Sequence, residues 1–184
     1  MAKILLGVCG SIAAYKANDI VSKLKKKNHE VIVCLTQKAS CLVNKLTLQT
    51  LSKNKVYQDI IEDDSADFVA HIELAKWADL IIVAPATATT IARIAHGFAD
   101  DMLSAAILAG HQKTLLIAPA MNENMYSNPI TQQNIKIIKD ILNAKEIEPK
   151  TALLACGDYG KGALADVDVI IQAIEEELCN ENCH

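Results

Sequence analysis

The stretch from Pro119 to Tyr126 places an amide, Asn122, between two methionines, directly after an apolar run at 114–118. Such a run predicts a buried strand, and residues just past the carboxyl end of a strand in an open parallel sheet face a ligand crevice. Methionine side chains fill irregular apolar space. The pattern therefore indicates that Asn122 contacts a substrate, with a turn-forming asparagine in an ordinary loop as the alternative.

A second group suited to chemistry is the imidazole of His71, near the start of a helical pattern at 69–77. Histidine titrates close to neutral pH, so His71 is a candidate general base. A lone histidine at a helix start can also serve structure alone, and the local pattern leaves both interpretations open.

A third group is the thiol of Cys156, which is followed by three glycines and an aspartate within residues 157–162. That density of glycines predicts a mobile flap that closes over a substrate and excludes water. The alternative interpretation of the same glycines is a long turn.

The elements that must position these groups alternate between apolar runs and longer segments of helical periodicity, which predicts an α/β fold with a parallel sheet. We expect one domain over residues 1–184. The predicted strands lie near 4–9, 30–35, 79–84, 114–118 and 152–155. The predicted helices lie near 12–27, 46–52, 69–77, 88–96, 100–109, 129–142 and 167–178.

The turns after the first two predicted strands favour a phosphate. Gly10 permits a tight turn, and Ser11 can cap the next helix and bond an anion at its amino end. Thr36 and Lys38 follow the second strand, where a dinucleotide site would need an acidic residue for the ribose. The third spaced glycine of the dinucleotide fingerprint is also missing. A mononucleotide such as FMN is therefore favoured over NAD, although a capped Gly-Ser turn needs no ligand.

The segment after the predicted strand 79–84 clusters three hydroxyl groups at the start of the next helix, those of Thr87, Thr89 and Thr90. Capping a helix needs only one of them. The others could bond a phosphate or the polar edge of a flavin.

Composition narrows the function classes. The chain has 184 residues, of which 51% are hydrophobic and 4% aromatic, and its net charge is -4. Few aromatics and no basic excess disfavour nucleic-acid binding, and no apolar run is long enough to span a membrane. Six scattered cysteines without a CxxC suit a reducing, cytoplasmic compartment. Cys179 and Cys183 supply only two of the four ligands of a typical structural zinc, so no metal is predicted.

Five motifs in one order together resemble the homo-oligomeric flavin-containing Cys decarboxylase family, and the likeness covers essentially the whole chain. The motifs are GSIAAYK at 10–16, the His71 segment, APATATT at 84–90, PAMNENMY at 119–126 and LACGDYGKGALAD at 154–166. The last two are similar to the branch that decarboxylates 4'-phospho-N-pantothenoyl-L-cysteine to 4'-phosphopantetheine.

The resemblance implies a flavodoxin-like or Rossmann-like three-layer fold, bound FMN, and homotrimers or multiples of trimers with the active site between subunits. It implies that His71 is the base, that Asn122 binds the substrate carboxylate, and that Cys156 on the flap is a proton donor. Further substrate contacts are expected at Met125 and Ala155. The implied FMN contacts are Gly10, Ser11, Ile12, Thr36, Lys38, Thr87, Ala88, Thr89, Thr90 and Ala120.

One departure concerns Thr89, which stands where the family's PASANT pattern has asparagine, so the role of this position toward the flavin is open. The rival functions are oxidative decarboxylation of a C-terminal peptidyl cysteine, flavin prenyl transfer, and a non-catalytic FMN-binding regulatory subunit. Cys156 argues against the peptidyl reaction, which has no reductive half that needs a donor. His71, Asn122 and Cys156 together argue against a regulatory subunit.

Overall fold

The central feature of the molecule is a six-stranded parallel sheet, seen in a computed structural model that describes residues 1–58, 69–155 and 157–181. Its strands are β1 (Lys3–Val8), β2 (Glu30–Leu35), β3 (Val56–Tyr57), β4 (Leu80–Ala86), β5 (Thr114–Pro119) and β6 (Lys145–Glu146). A separate antiparallel hairpin consists of β7 (Lys150–Leu153) and β8 (Tyr159–Ala163).

Helices connect and cover the strands. They are α1 (Ala17–Lys26), α2 (Lys45–Ser52), α3 (Ala70–Trp77), α4 (Ala88–Ala95), α5 (Met102–Ala109), α6 (Glu123–Tyr126), α7 (Pro129–Leu142) and α8 (Val167–Glu181). Short 3-10 helices occupy Ile12–Lys16 and Ala39–Cys41. Among these described helices, none combines the length and the apolar character that a membrane crossing requires.

The strand order in the sheet is β3-β2-β1-β4-β5-β6. This is the Rossmann order, in which the chain reverses its direction of winding between β1 and β4. At that point the connections from β1 and β4 leave toward opposite faces and open a crevice at the carboxyl ends of the strands. The predicted parallel α/β sheet is confirmed. Of the two expected arrangements, flavodoxin-like and Rossmann-like, the strand order matches the Rossmann-like one.

The core has two sides because successive strand residues point to opposite faces of the sheet. Leu6 packs in one cluster with residues of α1, α2 and α8. Its neighbour Leu5 packs in the other cluster, with residues of α3, α4, α5 and α7. The result is a three-layer sandwich, and it explains why the central strands are apolar along their whole length.

Several predicted elements differ from the observed ones. The predicted strand at 152–155 is wrong as a member of the sheet, because β7 pairs only with β8 in the hairpin. Strand β8 was not predicted because Gly160 and Gly162 interrupt the alternation of apolar and polar residues that indicates a strand. The first predicted helix, 12–27, is a 3-10 turn followed by α1. The two-residue strands β3 and β6 and the single-turn α6 are too short to produce a periodic signal.

Candidate functional site

A cavity of about 660 Å³ lies at the carboxyl ends of β1, β2, β4 and β5, with the β7–β8 hairpin beside it. It coincides with the winding reversal between β1 and β4, where sheets of this order bind ligands. The cavity brings together thirteen residues predicted from the sequence: Gly10, Ser11, Ile12, Thr36, Lys38, Thr87, Ala88, Thr89, Thr90, Ala120, Asn122, Met125 and Ala155.

The turn after β1 forms the anion-binding end of the cavity. Ser11 caps the 3-10 helix, and its Oγ accepts a hydrogen bond from the Ala13 amide at 3.4 Å. A Cβ on Gly10 would lie only 2.4 Å from the Cβ of Lys38, so the absent side chain allows the turns after β1 and β2 to touch. This places a lysine beside the amino end of a helical segment, an arrangement that favours phosphate.

The three threonine hydroxyl groups in the turn after β4 have different environments. Thr87 caps α4 by accepting from the Thr90 amide at 3.4 Å, and the two Oγ1 atoms lie 3.3 Å apart. Thr90 is buried, whereas Thr89 is exposed within the cavity lining. Thr87 and Thr90 therefore build the turn, and Thr89 is the hydroxyl most accessible to a ligand.

Asn122 lies at the wall of the cavity as the N-cap of α6. Its Oδ1 accepts a hydrogen bond from the Asn124 amide at 2.8 Å. The two interpretations of the sequence are thus compatible, because the side chain both forms the turn and borders the cavity. The capping bond restricts the rotation of the amide and so fixes the group that a substrate would meet.

The hairpin packs against the segment that carries Asn122. The Met121 amide donates to the carbonyl oxygen of Gly162 at 2.9 Å. A Cβ on Gly162 would lie 2.2 Å from the Met121 oxygen, and one on Gly160 would lie 2.1 Å from a Glu123 carboxylate oxygen. These two glycines of β8 permit this close packing. Cys156 lies outside the described residues.

His71 is not among the residues that line this cavity. It is the second residue of α3 and is half-buried. Since α3 runs antiparallel to the following strand β4, its amino end lies at the same edge of the sheet as the cavity. The structure of one chain therefore groups Asn122 with the phosphate turns but does not bring His71 to them.

Three cationic residues line the cavity that were not predicted as site residues: Lys16, Arg93 and Lys150. The guanidinium of Arg93 bonds Asp101 at 3.0 Å and Asp100 at 3.1 Å. Lys150 forms an ion pair with Asp166. Arg93 follows Thr89 by one helical turn, so its helical spacing could have indicated it. Together with Lys38, these groups give the cavity a cationic lining that suits phosphorylated ligands.

The thiol of Cys9 is fully buried next to these turns. Burial raises the pKa of this thiol to about 11, although bonds with the Thr90 side chain and the Thr87 backbone partly offset the effect. A thiol that stays protonated at neutral pH is a poor nucleophile. Cys9 is therefore a packing residue, in agreement with its apolar sequence context.

A comparison with models of known protein families matches residues 1–179, nearly the whole chain, to the Flavoprotein family. The chain belongs to the Flavoprotein family. This flavoprotein is 52% identical over 177 residues to a probable phosphopantothenoylcysteine decarboxylase of Streptococcus mutans. The aligned region covers 96% of this chain and 98% of that protein. It is also 47% identical to the coenzyme A biosynthesis bifunctional protein CoaBC of Borreliella burgdorferi, covering 95% of this chain but only 44% of that relative.

Solved structures also resemble this flavoprotein over nearly the whole chain. A PPC decarboxylase mutant complexed with pantothenoylaminoethenethiol has a TM-score of 0.87 and 33% identity, covering 96% of this chain and 98% of that one. The FMN binding protein AtHal3 has a TM-score of 0.82 and 34% identity, covering 95% of both chains. The flavoprotein fold expected from the sequence motifs is thereby confirmed.

Proposed function

We propose that this flavoprotein is an FMN-dependent decarboxylase that converts 4'-phospho-N-pantothenoyl-L-cysteine to 4'-phosphopantetheine in coenzyme A biosynthesis. The observation that carries the proposal is that one cavity joins the phosphate turns of β1 and β2 to Asn122. The Streptococcus mutans relative, matched over 98% of its length, supports the same substrate. In this proposal residues 1–184 form one cytoplasmic catalytic domain.

The residues of the cavity fit FMN. The absence of a side chain at Gly10 lets the turns after β1 and β2 touch, which brings Lys38 beside Ser11 at the amino end of the 3-10 helix, where a phosphate would bind. Thr36 lies next to it at the end of β2, and Thr89 is accessible at the amino end of α4. The cavity lining also contains apolar residues, among them Ala120, Met121 and Met125, which suit an isoalloxazine ring.

Loss of CO2 from a cysteine leaves electrons that need an acceptor. When bound, FMN would supply this acceptor indirectly, because two-electron oxidation of the cysteine moiety before CO2 is lost lets that moiety accept the electrons, and the same two electrons would be returned to it afterwards. Asn122 orients the substrate by hydrogen bonds to its carboxylate, and His71 accepts a proton during the oxidation. Cys156 donates a proton to carbon in the reduction, and the hairpin excludes water from the site.

Association of copies would complete this site. Ile12 and Leu153 line the cavity although they are 66% and 71% exposed, and Val69, close to His71, is 58% exposed. Exposed apolar groups of this size favour an interface. Because the two groups of residues differ, their contact would be head-to-tail, and such a contact closes into a ring where its rotation allows closure. We propose a homotrimer, or a multiple of trimers, in which His71 of one copy serves the cavity of the next.

The first experiment is to purify the protein and measure its flavin content, its mass in solution and CO2 release from the phosphorylated substrate. We expect about one FMN per chain, because one cavity provides one phosphate turn. Colourless protein that takes up no FMN, or flavin-loaded protein that releases no CO2, would contradict the proposed function.

The arrangement of copies is tested by mixing two inactive variants, His71→Asn and Asn122→Asp, under conditions that exchange subunits. If the site lies between copies, mixed assemblies contain cavities with one intact His71 and one intact Asn122, and activity returns. Activity that stays at the level of the separate variants would contradict a shared site.

A further inference from the structure

Tyr126 connects the segment that carries Asn122 to the rest of the fold, although it does not line the cavity. Its hydroxyl donates to Glu146 Oε1 at 2.8 Å, which ties α6 to strand β6. Its carbonyl oxygen accepts from Gln132 Nε2 at 2.6 Å, which ties α6 to α7. Its amide donates to the carbonyl of Asn122 at 2.9 Å and closes the single turn.

A helix of one turn cannot hold its own shape in water, because the cost of nucleating a helix is repaid only over several turns. The segment α6 has four residues and none of them is buried. Its conformation must therefore come from contacts with its surroundings. Tyr126, the last residue of the turn, supplies two of these contacts.

Glu146, which accepts the hydrogen bond of the Tyr126 hydroxyl, is held in place by its surroundings. The Glu146 side chain is only 8% exposed, and Lys139 lies 3.4 Å from its second oxygen. Burial and the bond to Glu146 raise the pKa of the Tyr126 hydroxyl, which therefore stays a donor throughout the range in which proteins are stable. Hydrogen bonds to a charged acceptor are about twice as strong as neutral ones.

The ring of Tyr126 also faces the hairpin. Lys161 Nζ lies 5.9 Å from the ring centroid, within the range of a weak cation–π contact. The amide of Lys161 donates to Glu123 Oε1 at 3.3 Å, at the other end of the same turn. A rigid α6 is thus the surface on which strand β8 of the hairpin rests.

We infer that Tyr126 is a positioning residue whose hydroxyl bond to Glu146 holds the α6 turn, and with it Asn122, in the geometry that meets a substrate carboxylate. The inference rests on the proposed function for the identity of that substrate. The Tyr126 side chain itself touches no reacting atom, so its effect passes through Asn122 and through the packing of the hairpin.

The test is Tyr126→Phe, which removes the hydroxyl and keeps the ring. We expect kcat/KM to fall about tenfold, the usual scale for losing a bond to a charged partner, mostly through KM. The affinity for FMN should change by less than about twofold, because the turns after β1, β2 and β4 are untouched. Tyr57→Phe is the matched control, since it removes the same group at β3, on the opposite edge of the sheet.

Two variants of the acceptor separate positioning from general stability. Glu146→Gln keeps an oxygen that accepts from Tyr126 and should retain most of the activity. Glu146→Leu should reproduce the kinetic effect of Tyr126→Phe, and the double variant should be no worse than Glu146→Leu alone, because the residues act as one pair. Additive losses in the double variant would overturn the inference.

Hydrogen exchange gives a readout that does not depend on catalysis. In Tyr126→Phe the amides of Met121 and Tyr126 should exchange about tenfold faster than in Tyr57→Phe, as the turn opens more often. Unchanged exchange, or a loss of FMN affinity that parallels the rise in KM, would overturn the inference. A wild-type protein without decarboxylase activity would contradict the proposed function, while the exchange rates would still decide the role of Tyr126.

Discussion

Gly10 and Lys38 approach so closely that a Cβ on Gly10 would lie 2.4 Å from the Cβ of Lys38. The contact joins the turns that follow β1 and β2, which are 28 residues apart in the sequence and adjacent in the sheet. The glycine is therefore required by the close approach of the two turns, and Lys38 is held at the amino end of the helical segment that Ser11 caps.

Gly10→Ala should weaken FMN binding by about tenfold or more, since overpacking of this kind costs about 1–3 kcal/mol and moves Lys38. Isothermal titration with FMN measures the effect. The double variant Gly10→Ala/Lys38→Gly removes the clashing Cβ and should regain thermal stability, whereas Gly10→Ala/Lys38→Ala should not. Equal stability of the two double variants would show that the clash is relieved elsewhere.

His71→Asn removes the proposed base with a similar side-chain size. We expect FMN to remain bound, while substrate reduces the flavin about a hundredfold more slowly, the usual scale for a general base. Anaerobic stopped-flow absorbance measures this step. His111→Asn, an exposed histidine after α5, is the control. Rapid reduction in His71→Asn would show that the residue is structural.

Asn122→Asp should abolish turnover and leave the fold and the FMN affinity intact. The aspartate oxygen can still accept from the Asn124 amide, so the cap of α6 is kept. A second carboxylate facing the substrate carboxylate costs several kcal/mol, which is a loss of about a hundredfold or more. Asn124→Asp adds the same charge two residues away and should retain activity. Normal kinetics in Asn122→Asp would restrict Asn122 to its capping role.

Cys156→Ser should separate the two halves of the proposed reaction. The free thiol has a pKa of about 8.5, and a serine hydroxyl is far less acidic, so protonation of the product stalls. Anaerobic mixing with substrate should bleach the flavin and accumulate a decarboxylated product lighter than 4'-phosphopantetheine by two hydrogens, as detected by mass spectrometry. Cys179→Ser is the control at an exposed thiol. Formation of 4'-phosphopantetheine at the wild-type rate would exclude Cys156 as the donor.

The buried thiols should resist alkylation. Because burial raises the pKa of Cys9 to about 11, only about one thiol in a thousand is ionised at pH 8. Burial raises the pKa of Cys34 as well. Iodoacetamide at this pH should modify the exposed Cys41 and Cys179 and spare Cys9 and Cys34, as read by peptide mapping. Unfolding in urea should make all four reactive, and modification of Cys9 in the folded protein would contradict its burial.

Local sequence determined the longer elements and the chemical groups of this protein. The long apolar runs that became β1, β4 and β5 could be predicted because a strand covered on both faces has only apolar positions. The turn residues Gly10, Ser11 and Asn122 could be predicted because they follow such runs, and the carboxyl ends of parallel strands share one edge.

Tertiary structure alone decided which groups meet. Arg93, Lys16 and Lys150 come from distant parts of the chain, and their convergence on one cavity depends on strand order and helix direction. The packing of the β7–β8 hairpin on the segment after β5 includes the close contact of Gly162 with Met121, which no local pattern carries. The path of α3 also leaves His71 outside the cavity of its own chain. A periodic sequence pattern specifies which face of a helix is buried, but it does not specify which other residues lie near the end of the helix.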